Sequence, residues 1–128
     1  MTLLSGGVGG ARLGRGLAAV ASLGTLAVVV NVGDDEQVYG LRVSPDLDTV
    51  AYTIAGREGP QGWGVAGDTF AVMGHLASLG VDTRFRVGDA DLALNLARTA
   101  GLRSGEALSA VTARLAASLA GGPHERSR

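Results

Sequence analysis

Apolar residues along this chain fall into short runs punctuated by glycine. Thr2–Ser5 (TLLS) reads as a short strand cut off by glycine, and Gly6–Gly10 as a turn. Over residues 11–23, Leu13, Leu17 and Val20 recur at helical spacing, which predicts a helix ended by Gly24. Leu26–Asn31 (LAVVVN) is a continuous, largely β-branched run, the pattern of a strand buried on both faces in a parallel sheet. Strand, glycine turn, helix and buried strand together make a βαβ unit.

Beyond it, residues 32–43 read as loop with at most a short strand. Ser44-Pro45 has the chemistry of a helix start: serine can cap free amides and proline is tolerated at the first helical position. The helix is expected over Pro45–Ala55. Residues 56–67 (GREGPQGWGVAG) are too rich in glycine and proline for a regular element. Asp68 is expected to cap a helix running to about Leu79. Arg84–Val87 is expected as a short strand and Asp89–Ala100 as a helix. Leu108-Ser109 has the look of a staple and cap for a last helix ending near Leu119. The polar stretch 120–128 is expected to be disordered. The architecture is therefore α/β with a parallel sheet. Three strands are few for such a domain, where four to six are usual, so residues 1–119 are expected to be the N-terminal part of something larger.

Composition narrows the chemistry. Aromatics are 4% against a hydrophobic fraction of 46%, so the core must be built from Ala, Val and Leu. A net charge of −1 gives no case for a nucleic-acid partner. Without cysteine, disulfides and cysteine-ligated zinc are excluded. Every basic residue but histidine is arginine, and the absence of lysine excludes the P-loop. The N-terminus is too soon broken by glycine for a signal peptide, and no apolar run approaches the roughly 18 residues of a membrane span, so a cytoplasmic location is expected.

Ligands of open α/β sheets bind beyond the carboxyl ends of the strands. Two loops leave such ends. Gly6, Gly7, Gly9 and Gly10 could let backbone amides approach a phosphate at a helix N-terminus, with Arg12 and Arg15 adding charge. The same glycines could equally serve tight strand-to-helix packing. They do not form the dinucleotide fingerprint, because Arg12 stands where its last glycine belongs. The second loop carries Asp34 and Asp35, and acids of this kind suit a magnesium ion among phosphates. Asp46 and Asp48 follow Ser44-Pro45, and Asp89 and Asp91 form a third acidic cluster. Each pair alone is explained by capping; three clusters on one rim are harder to explain that way. Trp63 could stack on a flat ring or plug the core. His75 and His124 receive no role.

The segments LSGGVGGARL, VVVNVGDD, GLRVSPDLDTVAYTIAG, GWGVAGDTF and VGDADLA, in this order, resemble the 2-phospho-L-lactate transferase (CofD/FbiA) family of coenzyme F-420 biosynthesis. The resemblance reaches to about Leu119; PDLDTV and GDD are its specific parts. It implies a Rossmann-like three-layer α/β fold with a parallel sheet, of which this chain is the N-terminal part. It implies transfer of a phospholactyl or phosphoenolpyruvyl group from a guanosine diphosphate-linked donor to the terminal ribityl hydroxyl of the deazaflavin Fo, with GMP released and Mg2+ assisting. By position, Asp48 and Arg86 would contact Fo, with Asp48 orienting the acceptor for catalysis. Gly6, Gly7, Gly9, Gly10 and Arg12 would lie near the donor phosphates, and Asp34, Asp35 or Asp46 would support the metal. Some positions depart from the family pattern: Arg86 stands where lysine is frequent, Ala90 where arginine is usual, Leu94-Asn95 for Thr-His, and Tyr39 for histidine. Two other readings stay open: a non-catalytic nucleotide- or phosphate-binding module working with a partner chain, and the dinucleotide-binding domain of an oxidoreductase. A homodimer is among the expected states, because a sheet left open exposes apolar surface and a strand edge.

Overall fold

A computed structural model describes residues 1–20 and 24–121. The βαβ unit is present. Strand β1 (Thr2–Ser5) leads into helix α1 (Gly7–Ala18), and β2 (Ala27–Val30) returns parallel to β1, with Leu3 opposite Val28 and Ser5 opposite Val30. Helix α1 starts four residues earlier than its apolar spacing suggests: Gly6 is its N-cap and Gly7–Gly10 form its first turn, so this run is not a free turn. The reason is close packing. A Cβ on Gly10 would collide with Ser5 Oγ and lie 3.1 Å from Ser5 Cα, so only glycine lets α1 begin directly against β1. The helix ends at Ala18, and residues 21–23 of the expected helix lie outside the described residues.

The segment read as loop contains a hairpin, β3 (Glu36–Val38) and β4 (Leu41–Val43), paired antiparallel. Its two-residue turn is Tyr39-Gly40, both in the left-handed region at φ 53° and 72°. That geometry matches the right-handed twist of paired strands. Strands of three residues are too short to show alternation, which is why the pattern hid them.

Helices α2 (Pro45–Ile54), α3 (Ala71–Ser78), α4 (Asp89–Arg103) and α5 (Leu108–Ala120) follow. Residues 56–67 have no helix or strand, only an isolated bridge between Glu58 and Val65. Residues 84–87 form no strand either; they run as an irregular segment in front of α4. Ser109 does not cap α5, since Ala107 holds the cap position and Ser109 lies inside the helix. Ala120 is helical, and the expected disorder of the tail concerns residues 122–128, outside the described residues.

Helix α2 sits centrally, against α1, α5 and β2. Val50, Tyr52, Met73, Leu94 and Val111 supply the largest buried apolar side chains. Each fully buried residue of this size contributes roughly 1.5–3 kcal/mol. The sheet is buried on one face only. Val28 and Val30 line the side against α2, whereas Leu4 is 77% and Val29 54% exposed on the other. The expectation of burial on both faces of β2 therefore fails among the described residues: helices cover one side of the β1–β2 sheet. None of the described helices is long and apolar enough to cross a membrane.

Candidate functional site

Asp48 lies in the first turn of α2, as the Ser-Pro start predicts. Ser44 does not cap that turn with its side chain; its hydroxyl donates instead to Asp35 Oδ2 at 2.7 Å. Asp48 is 7% exposed and paired with the guanidinium of Arg98 on α4. Arg98, 3% exposed, also donates to Asn95 Oδ1 at 2.8 Å and to the Arg42 carbonyl at 3.3 Å. It therefore ties α2, α4 and β4 together at the Asp48 carboxylate. Burial pushes the Asp48 carboxyl up to about 7 against the pull of Arg98, with Asp91 and Asp35 adding to the rise.

One cavity of about 210 Å³ brings Asp48 and Arg86 together, with Tyr52, Trp63, Asp91 and Asn95 also on its wall. A neighbouring cavity of about 360 Å³ shares Trp63, Gly64, Arg86 and Asp91 with it, and adds Phe70 and Asp68. Trp63 is 58% exposed at this junction, so it is a free flat face and not a core plug. The Arg86 guanidinium stacks over the Phe70 ring at 4.0 Å from its centre. The adjacent Phe85 carbonyl accepts the Tyr39 hydroxyl at 2.5 Å, so the hairpin turn anchors the segment that presents Arg86. The buried Tyr52 hydroxyl donates to Asp91 Oδ1 at 2.6 Å.

The glycine segment lies elsewhere. Gly6 lines a shallow depression at the carboxyl ends of β1 and β2 with Ser5, Val30 and Asn31. Asn31 donates to Asp46 Oδ2 at 3.0 Å, and that oxygen would be 3.7 Å from a Cβ on Gly6. Gly7 opens α1 with φ 71°, Gly10 is occupied by packing on Ser5, and Gly9 has open space where a side chain would go. Arg12 reaches the glycine-rich loop, its Nη2 being 3.4 Å from a Cβ position at Gly62. None of Gly6, Gly7, Gly9, Gly10 and Arg12 lines the Asp48 cavity or its larger neighbour.

Of the three acids set aside for a metal, Asp34 is exposed in a turn and Asp46 is engaged by Asn31. Asp35 accepts from Arg42 at 3.2 Å and from Ser44, while its Oδ1 is buried without a partner. Among the described residues no three His, Cys, Asp or Glu side chains gather in a group that could hold a metal ion. The donor set fits at most an ion that brings phosphate and water ligands of its own to the more accessible Asp34 and Asp46, because Asp35 Oδ1 is closed off from solvent.

Tyr52 and Arg98 did not stand out in the sequence, and Asn95 did so only as a departure from the family pattern. The signal for Asn95 and Arg98 was the polar row Asp91, Asn95, Arg98, at spacings of four and three along α4.

Residues 1–122 match the family model of 2-phospho-L-lactate transferase CofD. The chain belongs to the CofD family. It is 46% identical over 119 residues to a phosphoenolpyruvate transferase of Streptomyces griseus, covering 91% of this chain and 37% of that protein. It is 44% identical over 127 residues to a phosphoenolpyruvate transferase of Mycobacterium tuberculosis, covering 88% of this chain and 38% of that protein. The chain thus spans under two fifths of the length of these CofD-family relatives.

Proposed function

We propose that this chain carries the acceptor half of a site that passes a phosphoenolpyruvyl or phospholactyl group to the deazaflavin Fo. The observation that carries the reading is the convergence of Asp48 and Arg86 on one cavity beside the exposed Trp63. The relatives' name, phosphoenolpyruvate transferase, favours the phosphoenolpyruvyl group. In the reaction, the terminal ribityl oxygen of Fo bonds to the phosphorus that bears the three-carbon group. The bond from that phosphorus to the GMP phosphate oxygen breaks, GMP leaves with the electron pair, and the hydroxyl proton passes to water. Such transfer depends mainly on positioning and on charge neutralisation. Asp48, fixed by Arg98, accepts a hydrogen bond from the ribityl chain and orients it, and the flat ring lies against Trp63. Asp34, Asp35 or Asp46 would support Mg2+ in this reading, and the ion would neutralise donor phosphate. The guanosine diphosphate-linked donor would approach by way of Gly6, Gly7, Gly9, Gly10 and Arg12. The protein would work in the cytoplasm.

One observation favours a second reading, a binding module without transfer: the glycine segment lines neither the Asp48 cavity nor its larger neighbour. Fluorescence titration of the folded chain with Fo, in Mg2+, tests the first reading. Saturable binding that Asp48→Asn and Arg86→Ala each weaken supports it. Binding that ignores both substitutions, or no binding, contradicts it.

A further inference from the structure

The Asp48 cavity contains a second carboxylate that the reading above leaves without a role. Asp91 lies on the wall shared by both cavities, at the neck between them. Tyr52, 1% exposed, holds Asp91 Oδ1 at 2.6 Å, and Asp91 Oδ2 accepts from no described residue. The backbone beneath is fixed as well. The Asp91 amide donates to Asp68 Oδ2 at 3.2 Å, and the Asp91 carbonyl accepts from Asn95 Nδ2 at 2.9 Å. Helix α4 therefore sets both carboxylates, Asp91 directly and Asp48 through Arg98.

The charges around this space decide what fits it. Above pH 7, where Asp48 is ionised, Asp48 and Asp91 stand on one wall with Arg86, and Arg98 is paired with Asp48. A phosphate entering would add negative charge beside two carboxylates, and like-charge juxtaposition is costly. A neutral chain of hydroxyls meets no such penalty. Each hydroxyl donates to a carboxylate oxygen, and hydrogen bonds to an ionised partner are roughly twice as strong as neutral ones.

We propose that Asp91, held by Tyr52, is a second hydroxyl-binding residue of this cavity, accepting a hydrogen bond from the ligand's hydroxyl chain beside Asp48. The proposal rests on the assignment of this cavity to the acceptor. Asp91 is a positioning and specificity residue that touches ligand hydroxyls.

Two ligands test it on the whole chain: Fo, and the same deazaflavin ring with a plain alkyl group in place of the ribityl chain. Asp91→Asn keeps an acceptor for Tyr52 and removes the charge. Its expected effect is roughly tenfold or greater weakening for Fo, as for loss of a charged hydrogen-bond partner, with the alkyl-ring affinity unchanged. Tyr52→Phe, which frees the Asp91 side chain, is expected to show a smaller loss with the same selectivity, and it decides the matter should Asp91→Asn not fold. Equal losses for both ligands would mean a merely structural role and overturn the proposal. Unchanged Fo binding in Asp91→Asn overturns it while leaving the acceptor assignment standing. A wild-type chain that binds neither ligand overturns both.

Discussion

Asp68 and Asp89 cap each other's helices. Asp68 precedes α3 with Thr69 and Phe70 between, yet its carboxylate accepts from the amides of Ala90 at 2.8 Å and Asp91 at 3.2 Å, at the start of α4. Asp89 opens α4, yet it accepts from Ala71 and Val72, both at 3.0 Å, and from the Thr69 hydroxyl at 2.6 Å, at the start of α3. Each acid also meets the positive end of the other helix's dipole. The exchange locks α3 to α4 where the larger cavity has its wall, since Asp68 lines it. It also explains Gly88, where a Cβ would collide with the Asp68 carboxylate.

The crossed caps predict coupled energetics. Asp89→Ala should cost about 1–2 kcal/mol in urea unfolding, the usual range for a lost cap. Asp68→Ala should cost a similar amount, and the double variant clearly less than the two together, because each cap holds the other in place. A double variant whose loss equals the simple sum would show two independent caps.

The Asp48–Arg98 pair predicts a larger effect. Above pH 7, where Asp48 is ionised, Arg98→Met takes away its counter-charge and should cost up to about 3–5 kcal/mol. Adding Asp48→Asn to that variant should restore most of the loss, since the amide needs no counter-charge. Urea unfolding of the two single variants and the double variant reads this directly, and an unrecovered double variant would mean that Arg98 acts through its bonds to Asn95 and Arg42 instead.

Stability should fall as pH rises between about 4.5 and 7. The unfolded chain releases the Asp48 proton near the ordinary value of 3.8, while the folded chain keeps it to about 7. Between these values the folded state holds more protons, so each step up in pH favours unfolding, and the effect levels off above 7. Burial raises Asp91 as well and adds to the same slope. Glu58, Asp82 and Asp89 are held below their ordinary values, so their contributions are lost only in more acidic solution. Thermal unfolding across this range should show the fall in the wild type and a flatter profile in Asp48→Asn. Equal slopes in the two would place the titration elsewhere.

Gly9 and Gly10 separate packing from ligand approach. Gly10→Ala forces a methyl against Ser5 and should destabilise by about 1–3 kcal/mol. Gly9→Ala meets open space and should leave stability unchanged or slightly raised. If the segment receives a donor phosphate, Gly9→Ala should nonetheless weaken binding of GDP in Mg2+, measured by calorimetry. Unaltered GDP affinity in that variant would reduce the segment to a packing device.

Much of this was legible in the chain because it was local. The apolar run at 27–30, the Ser-Pro start of α2 and the glycine and proline of 56–67 each carry their own signal. PDLDTV and the residues before GD marked Asp48 and Arg86 through family resemblance, and the fold puts both on one cavity. What could not be read was pairing between distant elements. Arg98 finds Asp48 on another helix, and Asp68 serves the helix after next although its spacing suits the nearest one. The β-branched run of β2 suggested cover on two sides, but strand composition does not say which elements provide the cover.

Amide and indole NMR shifts of the labelled chain, recorded as Fo is added in Mg2+, test the central claim most directly. The account predicts saturable shifts at the Trp63 indole and the amides of Gly64, Arg86, Val87 and Asp91, with Gly7–Gly10 silent until a guanosine diphosphate ligand is added. Shifts confined to Gly7–Gly10 and Asn31, with the Asp48 cavity unmoved, would contradict the assignment of that cavity to the acceptor.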